Sequence, residues 1–203
     1  MRVEKTDEYR EWIDSLKDLA GRARILMRVD RLVHGNPGSY RNLTHSVSEL
    51  KVDVGPGYRV YSRNVAAISS CCSSVGTSRH KPKTSPEPSA SRRHTRSSYM
   101  VTAVRKKISK PKVSAYDVAE HLRTPEEMAA YLDAWLEDAP DDVSGIARAL
   151  GDIARAKGMS QVAKEAGLSR ESLYRALSEG GNPSFATVLK VARALGVRLH
   201  AQP

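Results

Sequence analysis

The stretch Gly158-Met-Ser-Gln-Val-Ala-Lys-Glu-Ala-Gly-Leu-Ser-Arg-Glu-Ser-Leu-Tyr-Arg-Ala-Leu-Ser178 reads as two short helices joined by a tight turn. Val162, Ala163 and Ala166 put small apolar groups on one face of the first helix. Gly167 permits a left-handed turn, and Leu168, Leu173, Ala176 and Leu177 return to the same core. Ser160 and Ser169 each stand before an expected helix start, where a hydroxyl accepts an otherwise unpaired backbone N–H. This is the spacing of a helix-turn-helix, in which the N-terminal residues of the second helix meet base edges in the DNA major groove. The pattern makes Ser160, Gln161, Ser169, Arg170, Glu171, Ser172, Tyr174 and Arg175 the candidate DNA-binding residues. Arg170 has the fork that suits guanine, Ser172 suits several bases, and Tyr174 or Arg175 suits phosphate. An ordinary helical hairpin carries the same helix, glycine, helix pattern, so the flanks decide between the two.

Upstream, Ile146, Leu150, Ile153 and Ala154 form the apolar stripe of a preceding helix. Downstream, Ser184-Phe185 opens a helix through Val188, Leu189, Val191, Ala192 and Leu195, which Gly196 closes. Further back, Thr124-Pro-Glu-Glu127 gives a capping box with proline at the first helical position. The helix it opens presents Met128, Tyr131, Leu132 and Trp135 to either its own core or a partner, and its own core is the favoured side. Acids gather between Glu126 and Asp142, opposite in sign to a basic toxin surface, and a solvated helix face explains them equally well. Four or five short helices around one core fit a small repressor-like, all-α domain.

The net charge of +10 over 203 residues does not come from that region. Between Arg79 and Lys112 stand eleven Lys/Arg against one acid, Glu87, which accounts for the whole excess. The same stretch is rich in Ser, Pro, Thr and His and lacks apolar periodicity, so residues 76–112 read as a disordered basic linker. Such a tether either adds salt-sensitive affinity for DNA or is simply solvated. Cys71 and Cys72 make a poor disulfide framework and too few metal ligands, so no cofactor or metal is expected. The absence of a long apolar run and of a secretion signal leads to the expectation of a cytoplasmic protein with no membrane partner.

The N-terminal third has a different pattern. Trp12, Leu16 and Leu19 predict one short helix; Ala23, Leu26 and Met27, extended by Val29, Leu32 and Val33, predict a second. Gly35-Asn-Pro-Gly38 breaks the chain, and two alternating runs, 47–54 and 58–62, meet across Gly55-Pro-Gly57 as a β-hairpin. Helix, helix, hairpin is the start of an α+β fold.

Two family resemblances follow. Thr6-Asp-Glu-Tyr9 with Trp12, Arg31-Leu32 with Gly35-Asn36, Ser48-Glu-Leu-Lys51 and Gly55-Pro-Gly-Tyr-Arg-Val-Tyr61 resemble the RelE/ParE superfamily toxins of the HigB-like addiction module killer type, over residues 1–65. That resemblance implies a small toxin that cleaves messenger RNA, with Lys51, Arg59 and Tyr61 as candidates for stabilising charge in the transition state. Plain sheet surface is the competing and favoured account of those three. Tyr131-Leu132 with Leu136, Ala149-Leu-Gly-Asp-Ile-Ala-Arg-Ala-Lys-Gly-Met-Ser160, Leu168–Ser178 and Gly181-Asn-Pro-Ser-Phe185 resemble the HigA-like addiction module antidote family. The second resemblance implies an antitoxin that neutralises a toxin and, as a dimer, represses its own operon.

The toxin pattern stops abruptly. Its members continue with an apolar strand and a Gly-Gly-Asp-Lys-Ser segment, whereas this chain runs Ile68-Ser-Ser-Cys-Cys into Ser/Pro-rich text that reads as neither strand nor helix. Gly76–Arg92 is what codons for G-D-K-S-T-Q-A-K-D-I-A-R-A-K-R-L-A give when read one nucleotide later. A slip of frame near Val65–Ile68 is therefore expected, carrying the chain into a second protein that begins near Met100.

The expected organisation is multi-domain: a truncated toxin-like α+β segment over 1–75, the linker over 76–112, and an all-α, lambda-repressor-like helix-turn-helix domain over 113–203. The expected function is a DNA-binding antitoxin and autorepressor fused to an inactive toxin remnant, with no catalytic residue. Its partners would be duplex operator DNA, a cognate toxin and a second copy of the chain. The alternative is a fused pair whose N-terminal part still cleaves RNA; a weaker idea is a fusion that binds a separate toxin.

Overall fold

In the computed structural model, residues 3–43, 46–65, 68–71, 112–178 and 180–198 are described. The expected linker falls almost wholly outside the described residues, as does Gly76–Arg92, the run expected to be out of frame.

Strand β1 (Val3–Thr6) runs directly into helix α1 (Asp7–Ser15), because the Thr6 hydroxyl accepts the Tyr9 N–H at 3.2 Å. Asp7 and Glu8 in the first turn complement the positive end of the helix. Leu16 and Leu19, expected in this helix, lie outside it: Leu16 is the C-cap and Leu19 opens α2 (Leu19–Val33) behind the Asp18 cap. Ile25, Leu26, Met27 and Val29 of α2 are all buried, more than one apolar stripe provides, since α2 lies between a sheet and another helix.

The sheet holds six strands in the order β2-β3-β4-β5-β1-β6. Strands β2 (Tyr40–Asn42), β3 (Val47–Val52) and β4 (Tyr58–Val65) form an antiparallel meander, with Leu50 paired to Val60 and Val52 to Tyr58 on the buried face. Ile68–Cys71 forms strand β5, antiparallel to β4 and parallel to β1, so the expectation that this stretch is neither strand nor helix was wrong. Ladder bonds need only backbone N–H and C=O groups, and a Ser/Cys sequence supplies them as well as an apolar one does. β6 (Val113–Ala115), from the far side of the linker, pairs antiparallel with β1 and closes that edge.

The rest is helical. A single 3-10 turn (Val118–His121) leads to α3 (Pro125–Asp138), α4 (Val143–Lys157), α5 (Met159–Glu165), α6 (Arg170–Leu177) and α7 (Phe185–Leu195). Thr124 caps α3 as expected, accepting the Glu127 N–H at 3.2 Å, but Glu127 returns to the Arg123 N–H at 2.7 Å rather than to Thr124. Ser184 caps α7, and Gly196, at φ +77°, ends it. One continuous apolar cluster runs from Tyr9, Ile13 and Ile25 through Tyr131 and Trp135 to Ile153, Val162 and Val191. Helix α3 packs on both α2 and α4, within the core of this chain.

Candidate functional site

The α5–α6 pair is built as its sequence requires. Val162, Ala163, Ala166, Leu173 and Leu177 are buried, and Gly167 takes φ +64° at the turn. The Ser169 hydroxyl accepts the Ser172 N–H at 3.0 Å. Ser160 does not cap: α5 begins one residue earlier, at Met159, with Gly158 at the N-cap and no side-chain bond there. Gly158 at φ +108° ends α4 and starts α5 with no residue between, leaving the serine inside the first turn.

All eight candidates are exposed: Ser160, Gln161, Ser169, Arg170, Glu171, Ser172, Tyr174 and Arg175. Their contacts are local. Gln161 donates to Glu165 at 2.5 Å, Arg175 lies 3.5 Å from Glu171, and the Arg170 guanidinium sits 5.5 Å from the Tyr174 ring centre. Exposed pairs of this kind contribute little and release readily. Ser172 and Arg175 line a concavity of about 500 Å³ with Ser178, Gly180 and Asn182. Tyr174 lines a different cavity, about 490 Å³, which Asp30 of α2 and its C-cap His34 also line. The structure thus separates Tyr174 from Arg175, which periodicity alone had grouped.

A second assembly, missed in the sequence, joins the N-terminal and helical regions. Arg22 is 3% exposed and reaches Glu127, Asp14 at 3.3 Å and the His121 carbonyl at 2.6 Å. His121 bonds Asp14 through Nδ1 at 2.8 Å and meets Lys5 Nζ through Nε2 at 3.2 Å. An ammonium only donates, so Nε2 accepts and the ring is neutral with its proton on Nδ1. Burial pushes the His121 pKa down, outweighing the opposite pull of Asp14 and favouring that state. Lys5 also binds Glu120 at 2.5 Å, and Arg24 binds Glu137 and Asp138. Tyr116 stacks on His121, and both lie against Tyr9. Of the acids gathered between Glu126 and Asp142, Glu127, Glu137 and Asp138 meet arginines of α2, whereas Glu126 and Asp133 are exposed. Composition pointed to that sign match, but the pairings depend on residues more than a hundred positions apart.

On the outer face of the β3–β4 hairpin, Lys51 and Arg59 are register partners, as are Glu49 and Tyr61. The structure brings the three N-terminal candidates together but ties them up. Arg59 and Tyr61 both bond Glu49, at 2.6 and 3.0 Å, while Lys51 pairs with Asp53 at 2.7 Å. The hydrogen bond from Arg59 holds the Glu49 carboxyl below its usual range despite burial. Among the described residues no group of His, Cys, Asp and Glu is arranged to hold a metal, and no helix is long and apolar enough to cross a membrane.

Acidic side chains of the helical region pair with arginines of the α/β segment, and the polar residues of α5 and α6 stay exposed. The comparisons with known proteins give the helical region a family. Residues 112–203 match the family described as "Probable addiction module antidote protein", and the chain belongs to that family through this region. It is 54% identical over 87 residues to an uncharacterised protein of Haemophilus influenzae (strain ATCC 51907 / DSM 11121 / KW20 / Rd), which covers 43% of this chain and 88% of that protein. A second uncharacterised protein of the same strain is 36% identical over 64 residues, covering 32% of this chain and 65% of that protein. No solved structure matches. Membership gives the helical region the antidote role in a toxin–antitoxin pair, with a toxin as its partner.

Proposed function

We propose that the chain is a DNA-binding antitoxin and autorepressor that carries, in the same polypeptide, an inactive remnant of a RelE/ParE-type toxin. Within it, residues 1–75 are the remnant, 76–112 a tether and 113–203 the helix-turn-helix antidote of HigA-like type. The observation that carries this reading is the state of α6. Its polar residues are exposed, and among the described residues none of the eight candidates has a hydrogen bond or ion pair to the N-terminal region. The partner-holding residues lie instead on the 3-10 turn and α3, so one antidote can hold a toxin and DNA together. Arg170 leads the base contacts; Ser169, Ser172 and Arg175 flank it, and two copies of the domain read a two-fold operator. Arg170→Ala is expected to weaken operator binding by about 1–3 kcal/mol at fixed salt. Unchanged affinity removes Arg170 from the interface.

The inactivity of the remnant rests on Arg59 and Tyr61 being bound to Glu49, and on the missing Gly-Gly-Asp-Lys segment. Full-length chain incubated with RNA is expected to leave it intact; cleavage lost on Arg59→Ala would restore the enzymatic alternative. A one-nucleotide change near the codons for Val65–Ile68 is expected to restore a leucine-rich strand and that segment. If no such change does, the frame-slip origin is wrong.

A further inference from the structure

Arg24, Arg28 and Arg31 follow one another at i, i+4 and i+7 along α2, on one stripe of the helix. With Lys51 they line a cavity of about 400 Å³, bounded by Ser39, Asp53 and Asp138. Two of the four cations are neutralised: Arg24 by Glu137 and Asp138, Lys51 by Asp53. Among the described residues, Arg28 and Arg31 have no carboxylate within salt-bridge distance. Arg28 donates to the Ser39 carbonyl, and the Arg31 Nε is buried with no hydrogen-bond partner. Burial, and then the neighbouring Arg31 charge, hold the Arg28 guanidinium below its ordinary range. Two half-buried cations side by side repel until an anion joins them. The loop is shaped around them: Gly38 sits at φ +63°, and a Cβ there would lie 2.3 Å from Arg28 Nη1.

We propose that Arg28 and Arg31, with Lys51 at the rim, form a binding site for a phosphate-class anion. Guanidinium forks match the oxygens of such a group, and two unneutralised positive charges match a dianion better than a single carboxylate. The helical region borders the site, because Asp138, which holds Arg24, also lines the cavity. The site depends neither on α6 contacting DNA nor on the toxin resemblance.

The test titrates inorganic phosphate into the full chain at constant ionic strength and follows the arginine Nε–Hε signals by NMR. Arg28 and Arg31 are expected to shift and saturate, while the exposed Arg10 and Arg175 do not. Arg28→Gln and Arg31→Gln should each weaken binding by about tenfold, the loss of one charge-assisted hydrogen bond. Gly38→Ala keeps both arginines in the sequence and is expected to weaken binding by pushing the Arg28 guanidinium aside; unchanged Arg155 signals report an intact fold in every variant. Dimethyl phosphate separates the two sources of the anion. Saturation by both ligands marks a nucleic-acid-type diester, and saturation by inorganic phosphate alone marks a free phosphate or monoester. Shifts that rise linearly for all arginines, or saturable binding that survives both glutamine substitutions, overturn the site.

Discussion

Arg22 and Arg170 carry the same guanidinium in opposite settings. Arg22 is almost fully buried and meets three acceptors drawn from both regions of the chain; Arg170 is exposed and rests on Tyr174 alone. Desolvation makes the difference. A buried charge must keep its partners, whereas an exposed one exchanges them for new ligands at little loss. The 3-10 turn and α3 therefore hold their partners, while the polar residues of α6 stay exposed.

The largest effect should come from breaking the buried side. Arg22→Ala removes the buried partner shared by Glu127, Asp14 and the His121 carbonyl and is expected to destabilise the chain by about 3–5 kcal/mol in urea unfolding, without changing the contact set of α6. A loss within the range of a surface substitution would mean that water already screens the cluster. Next comes Asp152, pushed up to about 6 by burial and then by Asp30 across the junction. A carboxyl raised in the folded state holds a proton that the unfolded chain has released, so its contribution to stability falls as pH rises from about 4 to 6. Asp152→Asn should flatten that fall, by at most about 3 kcal/mol at neutral pH. A slope that persists between those pH values would assign it to another group. On the exposed side, Arg170→Ala should leave stability within about 0.5 kcal/mol of the parent while impairing operator binding as above. The smallest change is Ser169→Ala, which removes the cap of α6 and should cost about 1 kcal/mol in thermal unfolding. No change there would mean that α6 is held by Leu173 and Leu177 alone.

The helical region was legible because its signals are local. Ser169, Gly167, Ser184 and Gly196 punctuate helices whose apolar spacing repeats within a few residues, and the structure places those helices where the spacing put them. Ser160 misled because Gly158 does two jobs at once, ending α4 and starting α5, and no composition rule distinguishes that from a serine cap. Strands β1, β2, β5 and β6 were illegible for a different reason. Each has three or four residues, and its identity comes from a neighbour distant in sequence: β1 lies between β5 and β6. The buried cluster of Lys5, Arg22 and His121 escaped in the same way, since charged residues read as surface until a partner from the far end of the chain encloses them. For the eight candidate residues, the sequence located exposed positions, and the structure added that Tyr174 lines the cavity shared with α2 while Arg175 lines a separate concavity.

The pairing of β6 with β1 also sets a clock. One strand is made at residues 3–6 and its neighbour at 113–115, so a ribosome adding roughly 5–20 residues per second separates them by about 5–20 s. Throughout that interval the nascent β1 edge is unpaired on its β6 side.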